Sequence, residues 1–235
     1  MNIEGISALV TGASRGLGEA LSWALAARGA RLALVARDKE PLEKVTREIR
    51  EAGGVAHALP ADVGDKDAVY ALAGTAARLV GPIDLLVHNA STLGPIPLVP
   101  LGDTECEDVS RALEVNVVGP FRLTKAIVGG MILRRRGLIL MVSSDAATNA
   151  YARWGAYGTS KAALEQLGKI WAAELEGSGV GVTVIDPGET DTRMHSDAIP
   201  DADRSQLNDP NRVALKLIQL IEAGLPSGGR VEVRA

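Results

Sequence analysis

The sequence predicts an α/β fold in which helices cover both faces of a doubly wound, seven-stranded parallel sheet. Three observations carry this reading. Short aliphatic runs alternate with longer amphipathic stretches along the chain. The runs are apolar on both faces instead of alternating with polar residues, which suits strands covered on each side. The first run passes through a glycine-rich turn directly into a helical pattern. Strand–helix alternation with right-handed crossovers then closes the parallel sheet.

The expected strands are ISALVT (6–11), RLALVAR (31–37), VAHALPAD (55–62), IDLLVHN (83–89), GLILMVSS (137–144), GVTVID (181–186) and RVEV (230–233). Helical patterns lie between them at about 16–28, 40–52, 65–79, 103–135, 155–177 and 210–223. Arg134-Arg135-Arg136 reads as a helix C-terminus, where cations complement the dipole, followed by Gly137 as the helix stop. No linker or repeat interrupts the alternation, so 1–235 reads as a single dinucleotide-binding and catalytic domain. The one long irregular stretch, 187–210, follows a strand's carboxyl end, the edge where open α/β sheets bind ligands, and is expected to be a substrate-binding loop or lid.

Composition narrows the function. The 235 residues carry 46% hydrophobic and 23% charged side chains, as in a soluble globular protein. A net charge of −4 argues against nucleic acid or an acidic membrane as partner. No apolar stretch is long enough to span a bilayer, and MNIEG leads straight into an apolar run without a signal peptide, so a cytoplasmic location is expected. The single cysteine, Cys106, excludes an intrachain disulfide and a thiolate-rich metal site. His57, His88 and His195 share no ligand-like spacing, so no metal is expected.

The segment LVTGASRGLGEAL places Gly12, Gly16 and Gly18 between the first strand and the first helix. Glycines there permit a tight turn and close approach of a pyrophosphate, met by helix N-terminal amides, in the manner of a Rossmann-type fold. The spacing is G-x-x-x-G-x-G, distinct from G-x-G-x-x-G. The end of the second strand chooses the dinucleotide: a carboxylate suits a free ribose 2′-hydroxyl, cations suit a 2′-phosphate. Arg37 follows Ala36 there, and the turn adds Arg15. Two guanidiniums favour NADP(H) over NAD(H). Asp38, one position further, is expected to face solvent.

These motifs, with those that follow them, resemble the short-chain dehydrogenase/reductase family in its single-domain form, over nearly the whole chain. TGASRGLG looks like the family's TGxxxGxG turn, which assigns Gly12, Ser14, Arg15, Gly16, Leu17 and Gly18 to the cofactor. ADV (61–63) looks like its adenine-contacting Asp-Val, here Asp62 and Val63. HNAS (88–91) resembles its NNAG segment, with Asn89 and Ala90 retained and His88 and Ser91 substituted. EVNVVGP holds the expected Asn116, MVSS the expected serine and YGTSK the Tyr-x-x-x-Lys pair, Tyr157 and Lys161. DPGETDT looks like the Pro-Gly segment, giving Pro187, Gly188, Thr190 and Thr192, the last against the nicotinamide carboxamide.

The resemblance implies an NADP(H)-dependent oxidoreductase that interconverts a carbonyl and an alcohol by hydride transfer, with Tyr157 as acid and base. An unperturbed tyrosine loses its proton near about pH 10, so a neighbouring charge has to help. Lys161, one helical turn on, is placed to supply it and, by resemblance, to hold the nicotinamide ribose. Ser144, thirteen residues before Tyr157, is expected to bind the substrate oxygen, with Ser143 pointing to the opposite face. By resemblance Asn116 holds a water in a proton relay to Lys161. Leu93, Tyr151, Trp154 and Met194 are expected to wall a small-molecule carbonyl or alcohol. Helices 103–135 and 155–177 are the family's usual dimer surfaces, implying a homodimer or homotetramer. The competing readings are a non-catalytic NADP(H)-binding sensor or scaffold on the same fold and a sugar-nucleotide epimerase, which the glycine spacing disfavours.

Overall fold

In a computed structural model, which describes residues 1–233, the aliphatic runs form seven strands: β1 Ser7–Thr11, β2 Arg31–Ala36, β3 Val55–Pro60, β4 Leu85–His88, β5 Gly137–Val142, β6 Val180–Asp186 and β7 Arg230–Glu232. Positions 234–235 of the expected 1–235 domain lie outside the described residues. The strands pair in the order β3-β2-β1-β4-β5-β6-β7, every pairing parallel. Strand order reverses between β1 and β4, and the crevice there opens at the strands' carboxyl ends. The fold is therefore the Rossmann-type, seven-stranded α/β sheet that the pattern of the sequence implies.

Burial explains why the strands are apolar at consecutive positions. Ala8, Val10, Leu32, Leu34, Leu85 and Val87 pack on one face with Leu21 and Leu25 of α1 (Gly16–Ala26) and Val213, Leu217 and Ile221 of α8 (Pro210–Ala223). Their neighbours Leu9, Ala33, Val35 and Leu86 enter the other core. There they meet α3 (Lys66–Val80), α5 (Gly119–Arg134) and α6 (Gly155–Glu174) through Val69, Leu123, Ile127, Met131 and Leu164. The remaining helices are α2 (Lys39–Glu51), α4 (Cys106–Leu113) and α7 (Arg193–Ala198).

Three expectations need correction. The helix expected over 103–135 is divided into α4, a π-helical turn at Glu114–Val118, and α5. Pro120 explains the break: it has no N–H to return to the Asn116 carbonyl, and its ring crowds that oxygen. Gly119 adds a second constraint, since a Cβ there would stand 2.4 Å from the Val63 carbonyl oxygen. The helix stop is Arg135, not Gly137. Arg135 adopts the left-handed conformation (φ 52°), while Gly137 opens β5 with Met131 packed over it.

The third correction concerns 187–210, which is folded rather than irregular. Thr192 caps α7 by accepting from His195 N at 3.2 Å. Asp203 caps a short 3₁₀ turn at Arg204–Gln206. The two ends are stitched by Asp191 N to Asn208 O (2.9 Å), by Asn208 N to Glu189 O (2.8 Å), and by the Arg204–Asp191 ion pair. α7 is thus a formed helix, packing Met194 and Ala198 against Ala146 and Tyr157.

Candidate active site

A cleft of about 500 Å³ runs from the β1–α1 turn, across the end of the sheet, to the N-terminal turns of α6 and to α7. The turn at its floor is built by close approach. A Cβ on Gly18 would lie 2.2 Å from Gly12 O and 2.4 Å from Asn89 Nδ2, so no side chain fits there. Asn89 donates from Nδ2 to Thr11 O and Gly12 O, each at 3.1 Å. Thr11 Oγ1 in turn accepts from Asn89 N (3.0 Å) and Ala90 N (3.1 Å). The β4 end thus braces the glycine turn. Arg15, at the N-cap of α1, provides no side-chain cap, and Gly16 and Leu17 of the first turn line the cleft.

His88, substituted relative to the family pattern, lies behind this brace, buried and sharing a 2.8 Å hydrogen bond with Thr124 of α5. Burial holds its imidazole down at about 3, against an ordinary value of 6.5. Unfolding therefore takes up a proton throughout that window. The stability due to the neutral ring is complete above pH 6.5 and is lost progressively as pH falls toward 3. His88 alone is expected to give an acid slope of about 1.4 kcal/mol per pH unit. Urea denaturation between those pH values measures it, and His88→Asn should flatten that part of the slope. An unchanged slope in the variant assigns the acid sensitivity to other groups.

The end of the cleft beside α6 is drier. Tyr157 and Lys161 are 8% and 2% exposed, one helical turn apart on α6, with Lys161 Nζ 5.5 Å from the Tyr157 ring centroid. Lys161 Nζ donates to Val142 O at 2.8 Å, which ties α6 to the end of β5. Burial pushes the Tyr157 hydroxyl up to about 12; a hydrogen bond with Ser144 opposes the rise, and the charges of Asp145 and Asp186 add to it. Burial pushes Lys161 down to about 8, against the opposing charge of Glu165. Positive charge entering the cleft would favour the ionised tyrosine and the neutral lysine. Ser144 Oγ donates to Asp145 Oδ1 at 3.0 Å and accepts from Ala146 N at 3.2 Å. Ser143 faces away, donating to Glu165 Oε1 at 2.8 Å.

A family model described as short chain dehydrogenase matches residues 7–203. The chain belongs to the short-chain dehydrogenase/reductase family. The Bacillus subtilis 2,3-dihydro-2,3-dihydroxybenzoate dehydrogenase is 38% identical over 192 residues, covering 82% of this chain and 72% of that protein. The Mycolicibacterium smegmatis D-threitol dehydrogenase is 35% identical over 185 residues, 79% of this chain and 70% of that one. Among solved structures, a metagenomic short-chain oxidoreductase in complex with NADP superposes with a TM-score of 0.84 at 32% identity, covering 100% of both chains. A 7α-hydroxysteroid dehydrogenase complexed with NADH and 7-oxo glycochenodeoxycholic acid gives 0.90 at 29% identity, covering 99% of this chain and 94% of that one.

In this short-chain dehydrogenase/reductase the cleft brings together nearly every residue singled out from sequence. Gly12, Ser14, Arg15, Gly16 and Leu17 line its floor, Arg37, Asp62 and Val63 one end, and Asn89 and Ala90 the middle. Ser144, Tyr157 and Lys161 line the other end, with Pro187, Gly188, Thr190 and Thr192 opposite. Thr192 reaches back over the floor, since a Cβ on Gly16 would come 3.1 Å from its methyl group. Leu93, Trp154 and Met194 pack with Tyr157 in one small apolar cluster, while Tyr151 stands at the rim, 47% exposed, donating to Asp145 Oδ2 at 2.7 Å.

Gly18 and Asn116 are the exceptions. Gly18 packs behind the turn rather than lining it. Asn116 is fully buried beside the cleft, and its side chain is engaged by neighbouring segments. Nδ2 donates to Thr92 O (2.9 Å) and Ser160 Oγ (2.8 Å), and Oδ1 accepts from Thr92 N (2.8 Å) and Ser91 Oγ (3.2 Å). The side chain thus clamps the 91–92 segment to α6.

Asp38 faces solvent, as expected, with its side chain half exposed, but it also pairs with Arg15, and both line the cleft. Asp62 is tied by Gly64 N at 2.8 Å and by Arg111. Burial works against its charge, but those bonds and the nearby Arg111 and Arg37 outweigh it and hold its carboxyl below the usual range. Sequence reasoning passed over Asp145 and His195. Asp145 directly follows the Ser-Ser pair and accepts from Ser144 and Tyr151, a link that only the folded loop reveals. His195 lines the cleft from α7 with both ring nitrogens buried and unpaired among the described residues.

Proposed function

We propose that this family member is an NADP(H)-preferring oxidoreductase that interconverts a small carbonyl compound and its alcohol, with Tyr157 as proton donor and acceptor. The observation that carries the reading is the placement of Ser144, Tyr157 and Lys161 in the cleft whose other end is the glycine turn. A bound nicotinamide dinucleotide would supply hydride for reduction or accept it in oxidation, and in its oxidised form would add positive charge to the cleft. The cleft fits it: the floor admits no side chain at Gly12 or Gly18, and the α1 amides lack a side-chain cap. The turn would hold the pyrophosphate, Asp62 and Val63 the adenine end, and Thr192 the carboxamide.

The protein's own groups then divide the work. Ser144 hydrogen-bonds the substrate oxygen, Tyr157 gives or takes the proton there, and Lys161 favours the tyrosinate by its charge. Leu93, Trp154 and Met194 exclude water around the reacting carbon. The alcohol-named relatives support this reaction class. Arg37 and Arg15 support the NADP(H) preference, although Asp38 engages Arg15.

NADPH is expected to bind roughly tenfold or more tightly than NADH, the worth of a charge-assisted hydrogen bond of about 1.5–3 kcal/mol. Asp38→Asn releases Arg15 and should widen the gap. Fluorescence titration with both dinucleotides, followed by a carbonyl and alcohol panel, tests the reading. Tighter NADH binding overturns the preference; NADPH binding without turnover across the panel overturns the reaction. Exposed Phe121, Ile132 and Leu133 on α5 and Ile170 on α6 support self-association as a homodimer or homotetramer.

A further inference from the structure

Arg230 lies on the last strand, where the cofactor and substrate motifs do not reach. In register β7 sets Arg230 against Val184 and Glu232 against Asp186, so its side chain meets the end of β6 diagonally. Its side chain is only 20% exposed, and it serves three carboxylates at once. Nε donates to Glu165 Oε1 at 3.0 Å, Nη1 to Glu232 Oε1 at 3.1 Å, and Nη2 to Asp186 Oδ2. Two of those carboxylates are buried, Glu165 at 5% and Asp186 at 7% side-chain exposure.

Each buried carboxylate has a second bond, and each leads to the catalytic end. Glu165 lies one turn beyond Lys161 on α6 and accepts from Ser143, the residue before Ser144. Asp186 accepts from Gly188 N at 3.0 Å, which shapes the Pro-Gly segment of the cleft. We propose that Arg230 is a positioning residue for the reaction: its planar fork holds β5, α6 and the β6 loop in register, so that Ser144, Lys161 and Gly188 face one cleft. An arginine suits the task because its rigid, always charged fork can serve several oxygens at fixed angles. The proposal rests on Tyr157 and Lys161 exchanging the proton.

The same fork neutralises charge behind the proton-exchanging pair. Tyr157 is faced by Ser144 and Asp145 from the turn after β5, by Asp186 from β6 and by Lys161 from its own helix. Lys161 is faced by the Val142 carbonyl and by Glu165. Removing Arg230 leaves two buried carboxylates uncompensated. Their charge then favours protonated Tyr157 and protonated Lys161 to higher pH.

The test is the pH profile of alcohol oxidation at saturating NADP⁺, with cyclohexanol or the best alcohol of the panel. Activity there rises with pH as the Tyr157–Lys161 pair loses a proton. Arg230→Met is expected to move the midpoint up by roughly half a pH unit or more, and Arg230→Lys, which keeps the charge, to recover most of the shift. Glu165→Gln removes negative charge beside Lys161 and should move the midpoint down. It also decides the matter if Arg230→Met does not fold. A folded Arg230→Met with the wild-type midpoint overturns the proposal, as does an unmoved midpoint in Glu165→Gln. If Tyr157→Phe stays active, the reaction reading has failed instead. If Tyr157→Phe is inactive while these midpoints stay fixed, only the role of Arg230 falls.

Discussion

Tyr157→Phe is expected to lower kcat/KM in both directions by roughly 10²–10⁴-fold, the usual contribution of a positioned acid–base group. The substitution removes one hydroxyl and leaves the ring, which packs edge-on against Trp154 with centroids 5.7 Å apart. Lys161 keeps its bond to Val142 O. Folding and dinucleotide affinity should therefore stay close to wild type, and the loss should appear in kcat. Burial, which pushes the phenol up, makes its proton release depend on neighbouring groups. Steady-state kinetics with titration of the dinucleotide separates the two quantities. Wild-type turnover in the variant would remove Tyr157 from the chemistry.

Gly18→Ala is expected to be the most damaging single methyl group in the cleft region. Its Cβ would meet Gly12 O at 2.2 Å and Asn89 Nδ2 at 2.4 Å, and neither can retreat cheaply. Gly12 O belongs to the turn, and Asn89 is the brace that holds it. Overpacking of this kind costs about 1–3 kcal/mol of stability. Displacing the turn should also weaken dinucleotide binding by about ten- to a hundredfold, or 1.4–2.8 kcal/mol. Gly74→Ala makes the control: it lies in α3 with nothing within 4 Å of the added Cβ and should stabilise by about 0.5–1 kcal/mol. Calorimetry and dinucleotide titration of both variants check the pair. Near-normal binding by Gly18→Ala would mean that the turn is more pliant than its contacts indicate.

Local signals made the sheet and most of the cleft legible. Strands such as Leu85–His88 and Gly137–Val142 announce themselves because both faces are buried, which forces consecutive apolar residues. The glycine turn is legible because close approach requires a specific residue type. Features created by distant segments were not. Pro120 sits inside an otherwise helical pattern, and the wide turn just before it emerges only in the folded chain. The clamp that the Asn116 side chain makes on the 91–92 segment and Ser160 was not legible, because those partners are remote in sequence. Asp38 reads as solvent-facing and is half exposed, but nothing in its neighbourhood names Arg15 as its partner. Arg230 meets Glu165 and Asp186 across 65 and 44 positions, beyond any local pattern.

The π-helical turn at Glu114–Val118 also sets a rule for chain length. An α-turn takes about 3.6 residues, so the wider turn holds an extra residue between α4 and α5. Deleting that extra residue would close a regular α-turn with the flanking helices near their present register, whereas a residue lost from α4 itself would turn the residues before it by about 100°. The wide turn thus takes up a difference in length that a regular helix would convert into rotation, and it keeps Asn116 against Thr92 and Ser160.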